Sequence, residues 1–180
     1  MKKNPGFTLV EILVVIAIIT IIMTISIPNF IIWRDNTRLK SAAGDIYNAM
    51  QKAKMGAIKE NRNWSVSFDT ANGRYSIIDW VNSTFGDADD ITVETFDLST
   101  YGSGVGYGHG SATKAIPPGG TFSTYNVTFS GSRATFNGRG MGAALGYVYL
   151  SNEQNTAYGI GLNSIAGSVT MKKWGGSDWR

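Results

Sequence analysis

From Phe7 to Ile32 the chain reads FTLVEILVVIAIITIIMTISIPNFII, and the only ionisable side chain in that stretch is Glu11. A helix needs about 20 apolar residues to cross the hydrocarbon core of a bilayer. The run therefore predicts one transmembrane helix over 7–33. A secretory signal has a shorter apolar region followed by a small-residue cleavage site. No such site comes after this run, which passes Pro28 into Asn29-Phe30-Ile31-Ile32-Trp33. Lys2 and Lys3 precede the run, which predicts a cytoplasmic N-terminus and a remainder on the far side. Trp33, Arg34 and Asp35 mark the outer interface. Pro28 lacks an N–H and clashes with the preceding turn, so a kink or local melting is expected there.

Glu11 is the informative departure. An acid at the centre of a membrane helix costs about 2.5–3.5 kcal/mol on translocon scales. Near a helix start the cost falls, because the helix dipole favours an anion there. The residues alone leave two readings: a tolerated interfacial acid, or a carboxylate that meets a cation within a protein assembly.

Beyond Pro28 the pattern changes. Leu39, Ala42, Ile46, Ala49, Met50, Ala53 and Ala57 recur at three- and four-residue steps, which is one apolar stripe on a helix. Arg34, Arg38, Lys40, Asp45, Lys52, Lys54 and Lys59 fall mostly off it and read as a solvated face. A nucleic-acid stripe would interleave aromatics, and this segment has only Tyr47. Small residues on the stripe predict close packing against a sheet, and Gly56 and Asn61 sit near the expected end.

The remainder of the chain is rich in turn residues; there are 22 glycines and 4 prolines among 180 residues. Trp64, Val66 and Phe68 alternate, Asn72-Gly73 turns, and Tyr75, Ile77 and Ile78 come next, which is a hairpin signal. Further strands are expected over Ile91–Phe96, Ser123–Ser130, Arg133–Phe136, Gly146–Leu150, Ala157–Leu162 and Ser168–Lys173. The expected fold class is α+β: a long N-terminal helix, transmembrane in its first half and amphipathic in its second, packed on a C-terminal antiparallel β-sheet head.

Two stretches carry a family resemblance. Gly6-Phe7-Thr8-Leu9-Val10-Glu11, behind a short basic leader and ahead of a long apolar run with Pro28, resembles the prepilin cleavage site of type IV pilins and type II secretion pseudopilins. The resemblance implies that a prepilin peptidase cuts between Gly6 and Phe7 and that Phe7 is then N-methylated. It implies that Glu11 pairs with the N-terminal amine of a neighbouring subunit. Phe129 through Trp174 resembles the C-terminal part of the GspH/FimT pseudopilin domain. The matching elements are Phe136-Asn137-Gly138-Arg139-Gly140, then Gly146–Leu150, then Ile160-Gly161-Leu162-Asn163 through Gly167-Ser168-Val169. The helix end from Ala53 to Asn61 fits as well, although the family usually has Arg where Lys54 stands.

The resulting organisation is a leader over 1–6, a transmembrane and filament-core helix half over 7–33, an amphipathic half over 34–61, and a periplasmic head over 62–180. A Gly-rich insertion at about 83–120 lies outside the resemblance. The implied partners are other pilins or pseudopilins in a helical filament, the prepilin peptidase and the bacterial inner membrane.

Few residues suggest chemistry. The absence of Cys removes thiolate metal sites and Cys nucleophiles. Gly138-x-Gly140-x-x-Ala143 has the spacing of a dinucleotide fingerprint, but a strand pattern succeeds it where a helix is needed, so it reads as a turn. Tyr101 to Gly110 reads as a mobile surface loop, with His109, the one histidine, solvated in it. Asp87, Asp89 and Asp90 lack the spacing of an EF-hand loop and read as a solvated turn, with calcium the alternative. No cofactor, metal or catalytic site is expected, and the chain reads as no enzyme.

Lys172, Lys173, Trp174, Trp179 and Arg180 combine cations with aromatic faces, as single-strand binders do. FimT-like minor pilins serve DNA uptake through basic C-terminal residues, so the resemblance implies DNA as an alternative partner. Charge argues the other way. Of the 16 Lys and Arg, Lys2 and Lys3 belong to the leader, and the rest nearly match the 13 acidic residues. The favoured expectation is a structural minor pilin or pseudopilin of a fibre serving type II secretion or a type IV pilus. The alternatives are a DNA-binding minor pilin and a major pilin.

Overall fold

The computed structural model describes residues 6–82, 84–102, 104–117, 121–122 and 126–180. Residues 1–5, most of the expected leader, lie outside them. The chain divides into two compact units, one ending at Arg34 and one spanning Asp35–Arg180. Helix α1 (Leu9–Glu60) contributes to both.

In the first unit no residue of the most apolar stretch of α1 is buried. Its few polar side chains bond back to the helix itself. Thr20 Oγ1 donates to Ile16 O and Thr24 Oγ1 to Thr20 O, each at 2.8 Å, and Asn29 Nδ2 donates to Ile25 O at 3.1 Å. Each of the three thus spends a side-chain donor on the helix's own carbonyls, which suits an apolar solvent, although the Asn29 amide keeps its oxygen and second N–H free. Helical assignment runs through Pro28 without a break, so the local melting expected there does not occur. Proline removes one bond of the ladder, and the intact turns on both sides hold the helix across it.

In the second unit the expected stripe is buried. Leu39, Ala42, Ala43, Ile46, Ala49, Met50, Ala53 and Ala57 form its inner face. Asn61 ends the helix at φ 51°, and the amide of Arg62 donates to Ala57 O at 3.2 Å, closing the last turn as a left-handed cap. Gly56 is no terminator. It lies inside α1 beneath the Trp64 indole, where a Cβ would stand 2.6 Å from ring carbon Cε3.

Two antiparallel sheets pack in this unit. The first has β1 (Trp64–Asp69), β2 (Arg74–Asp79), β3 (Ile91–Asp97) and β5 (Arg133–Phe136), in the order β3-β2-β1-β5. The second has β4 (Gly106–Tyr107), β6 (Gly146–Ser151), β7 (Ala157–Ser164) and β8 (Ser168–Lys173), in the order β4-β6-β7-β8. The Asn72-Gly73 turn joins β1 and β2 as expected, with Asp69 paired to Arg74 at its base. Trp64, Val66, Phe68, Tyr75 and Ile77 pack with the helix stripe and with Val148, Leu150, Ile160 and Leu162 in one main core.

A second core lies on the other side of β6. Tyr147 and Tyr149 alternate with Val148 and Leu150, and they pack with Ala112, Ala115, Ile116, Ala157, Trp174 and Trp179. Strand β6 is thus buried on both faces. The expected surface loop is accordingly structured in its described part. Gly106 pairs with Ser151 and Tyr107 with Leu150, and the amide of Ile116 donates to the Tyr149 hydroxyl at 2.9 Å.

The strand expected over Ser123–Ser130 is absent in its described part; 123–125 lie outside the described residues. Val127 makes one isolated bridge to Val148, and Ser130–Ser132 is a 3-10 turn. Asn126, Gly131 and Ser132 all have positive φ, which breaks the extended ladder. The remaining strands fall within one or two residues of expectation.

Candidate functional site

Gly6, Phe7 and Thr8 lead into α1 without regular structure. Thr8 is the N-cap. Its Oγ1 accepts from the Glu11 amide at 3.2 Å, and Glu11 Oε2 accepts from the Thr8 amide at 3.5 Å. This is a capping box, in which two otherwise unpaired amides at a helix start are satisfied reciprocally. The acid therefore has a role before any partner arrives. It lowers the free energy of the helix start and sits where the helix dipole favours a negative charge. The signal was legible as Thr-x-x-Glu at the head of an apolar run. One long hydrogen bond leaves most acceptor positions of the carboxylate open, and the residue is exposed.

The last residues are not a frayed end. Trp174 and Trp179 form an isolated bridge; the Lys173 amide donates to Arg180 O at 2.8 Å, and the Arg180 amide to Lys173 O at 3.0 Å. Both indoles are 7% exposed and belong to the second core, where Trp179 Nε1 donates to Lys114 O at 2.7 Å. A base cannot stack on a ring that is already covered on its faces. Lys172, Lys173 and Arg180 stay at the surface, while Arg180 donates to Gly175 O at 3.0 Å. Sequence spacing names these residues as neighbours along the chain but cannot show which way the rings turn.

His109 is only partly solvated. Its ring stacks on Phe122 at 4.0 Å between centroids and sits 3.1 Å from Ala112 O, half-buried. Asp87 and Asp89 both accept from Asn82 Nδ2, at 2.7 and 2.9 Å, and Asp90 accepts from the Gly86 amide at 2.7 Å. Among the described residues, no three His, Cys, Asp or Glu side chains converge as a metal group would require.

The glycine-rich turn after β5 is a turn, as the strand pattern beyond it implied. Asn137 Oδ1 accepts from the amides of Arg139 and Met141, and Gly138 and Gly140 pack against the end of α1. Lys54 Nζ donates to Gly167 O at 2.9 Å, so α1, this turn and the β7–β8 turn meet in one place. Arg62 fixes the other side of the helix end. It grips the almost fully buried Asp79 through two nitrogens, at 2.7 and 2.5 Å, and also contacts Glu60.

Comparison with known proteins adds two matches. Residues 1–27 match the family described as prokaryotic N-terminal methylation motif, and residues 42–166 match that described as type II transport protein GspH. No curated protein sequence matches significantly. Among solved structures, the type IV minor pilin FimU of Pseudomonas aeruginosa aligns at 14% identity and a TM-score of 0.49. That alignment covers 78% of this chain and 96% of FimU. The minor pseudopilin EpsH of the type 2 secretion system of Vibrio cholerae aligns at 10% identity and a TM-score of 0.43, covering 74% of this chain and 95% of EpsH.

Proposed function

Because this chain belongs to the type II transport protein GspH family, a family of structural fibre subunits, we propose that it enters its fibre as a minor pseudopilin or pilin. In this reading prepilin peptidase cuts between Gly6 and Phe7, and the new N-terminus is methylated. The segment 7–33 first anchors the protein in the inner membrane and later lies in the filament core. The head from residue 62 onward stands on the periplasmic side.

The observation that carries the reading is the first unit of α1. It is apolar on every side, unburied, and carries one carboxylate at its start. Lipid satisfies the apolar surface but offers the carboxylate no cation. A methylated amine on a neighbouring subunit does, and in a low-dielectric setting a paired charge is far less costly than a single one. The family match to the methylation motif supports the processing step.

The test is replacement of Glu11 in the native host. Glu11→Ala should still insert, since removing an acid lowers the insertion cost, but should co-purify poorly with other pilins. Mass spectrometry of the wild-type chain from fibres should show methylated Phe7 first. Undiminished incorporation of Glu11→Ala, or retention of Met1 in fibres, contradicts the reading.

A further inference from the structure

On the face of the first sheet opposite the helix, Arg133 has no carboxylate partner. Its guanidinium lies 4.1 Å from the centre of the Phe85 ring and 5.8 Å from that of Trp80. Among the described residues its guanidinium makes no ion pair or hydrogen bond. A cation held by aromatic rings keeps its in-plane N–H groups unspent. They border a pocket of 220 Å³ shared with Asn63, Ser130 and Thr135 and walled by Trp80 and two alanines.

The pocket is built rather than incidental. Thr135, only 9% exposed, lines the pocket, and among the described residues its hydroxyl makes no hydrogen bond. Gly131, at φ 64°, leaves the space that Arg133 crosses: a Cβ there would stand 2.9 Å from Nη1. Trp80 is fixed in turn, its Nε1 donating to the buried Ser65 hydroxyl at 2.9 Å. The lining offers a guanidinium, an amide and two hydroxyls, and it contains no carboxylate. Convergent donors around one cation select an anion. The volume is below the roughly 300–1,000 Å³ of pockets for drug-sized ligands. It suits a side chain rather than a nucleotide or a sugar.

We propose that the Arg133 pocket receives a carboxylate side chain presented by a neighbouring fibre subunit. The presenter rests on the fibre reading above; the carboxylate chemistry rests on the pocket alone. A planar carboxylate meets a guanidinium through two parallel hydrogen bonds, and the aromatic rings hold the fork in the required plane.

The test uses the full-length chain in detergent micelles with 15N-labelled arginine and tryptophan side chains. N-acetyl-glutamate α-amide, titrated in, should shift the Arg133 Nε–H and Trp80 Nε1–H resonances saturably in the millimolar range. N-acetyl-glutamine α-amide, its neutral counterpart, should not. Thr135→Val should weaken binding several-fold, and Arg133→Gln should abolish the Trp80 shift while the other indole resonances stay in place. Equal shifts from the neutral amide, or tighter binding of inorganic phosphate, overturn the carboxylate assignment. In the native host, Arg133→Gln should lower incorporation several-fold with Glu11 intact. Full incorporation together with probe binding would make the ligand a free small carboxylate and overturn the subunit as presenter. Wild-type chain absent from fibres would sink the fibre reading, and the micelle titration would still decide the chemistry.

Discussion

Ile16, Ile18 and Ile22 are 58%, 52% and 57% exposed, whereas Ile46, Ile77 and Ile160 are fully buried. The first three belong to the unit that ends at Arg34 and the others to the unit that begins at Asp35. The same side chain thus meets opposite environments along one chain. The difference lies in what surrounds each isoleucine in sequence. Around Ile16 every helix face is apolar, so no orientation could hide them all against one partner surface. Around Ile46 the apolar residues occupy one stripe, and a sheet can cover it. The first unit is stable only in a solvent or assembly that covers it, and the second carries its own cover.

The largest expected break in that contrast is a charge in the stripe. Ile46→Asp puts an unpaired carboxylate where no water reaches and should destabilise the second unit by at least about 3 kcal/mol. Membrane insertion through the first unit should be unchanged. Near-UV circular dichroism melting of the full chain in detergent, alongside carbonate extraction of membranes, reads the two separately. Loss of insertion together with the fold would show that the units are not independent.

A smaller break tests how closely the helix approaches the sheet. Gly56→Ala gains about 1 kcal/mol of helix propensity. Against that, its Cβ would meet the body of the buried Trp64 ring at 2.6 Å, and overpacking of this kind costs about 1–3 kcal/mol. A net loss of about 1 kcal/mol is expected, with a shifted near-UV tryptophan signal. A net gain in melting temperature would mean that the ring is not clamped there.

The smallest effect is electrostatic and confined to the second unit. The side chain and amide of Ser99 and then the Arg74 guanidinium hydrogen-bond to Asp97 and hold its pKa at about 2. A carboxyl depressed in the folded state adds stability above its unfolded value near 4. That contribution is lost as pH falls from about 4 toward 2. Asp97→Asn should flatten the acid limb of the melting profile over that window and leave the neutral-pH profile nearly parallel to wild type. An unchanged acid limb would show that the group does not titrate against folding.

Much of the fold was legible because its signals are local. The hairpin at Asn72-Gly73, the strands Arg133–Phe136 and Ser168–Lys173, and the stripe from Leu39 to Ala57 come from turn chemistry and periodicity. The second core was not read, although Gly146–Leu150 hinted at it by lacking any polar alternation, the mark of a strand covered on both faces. The loop that covers it looked mobile because glycine content measures conformational freedom in isolation. Contacts made across long sequence separations, such as Ile116 to Tyr149 or His109 to Phe122, remove that freedom.

By itself the sequence determined the long apolar segment, its lone acid and the family to which the chain belongs, because each depends on residue type at fixed spacing. The capping of Glu11 by Thr8 was equally fixed by spacing. Only the tertiary structure decided which aromatic faces are available. Trp174 and Trp179 turn inward to close the second core, whereas Phe85 and Trp80 carry an unpaired Arg133 at the surface of the first sheet. Periodicity assigns a side chain to a face of its own strand. Whether that face is covered depends on residues far away in the chain, and no local pattern records them.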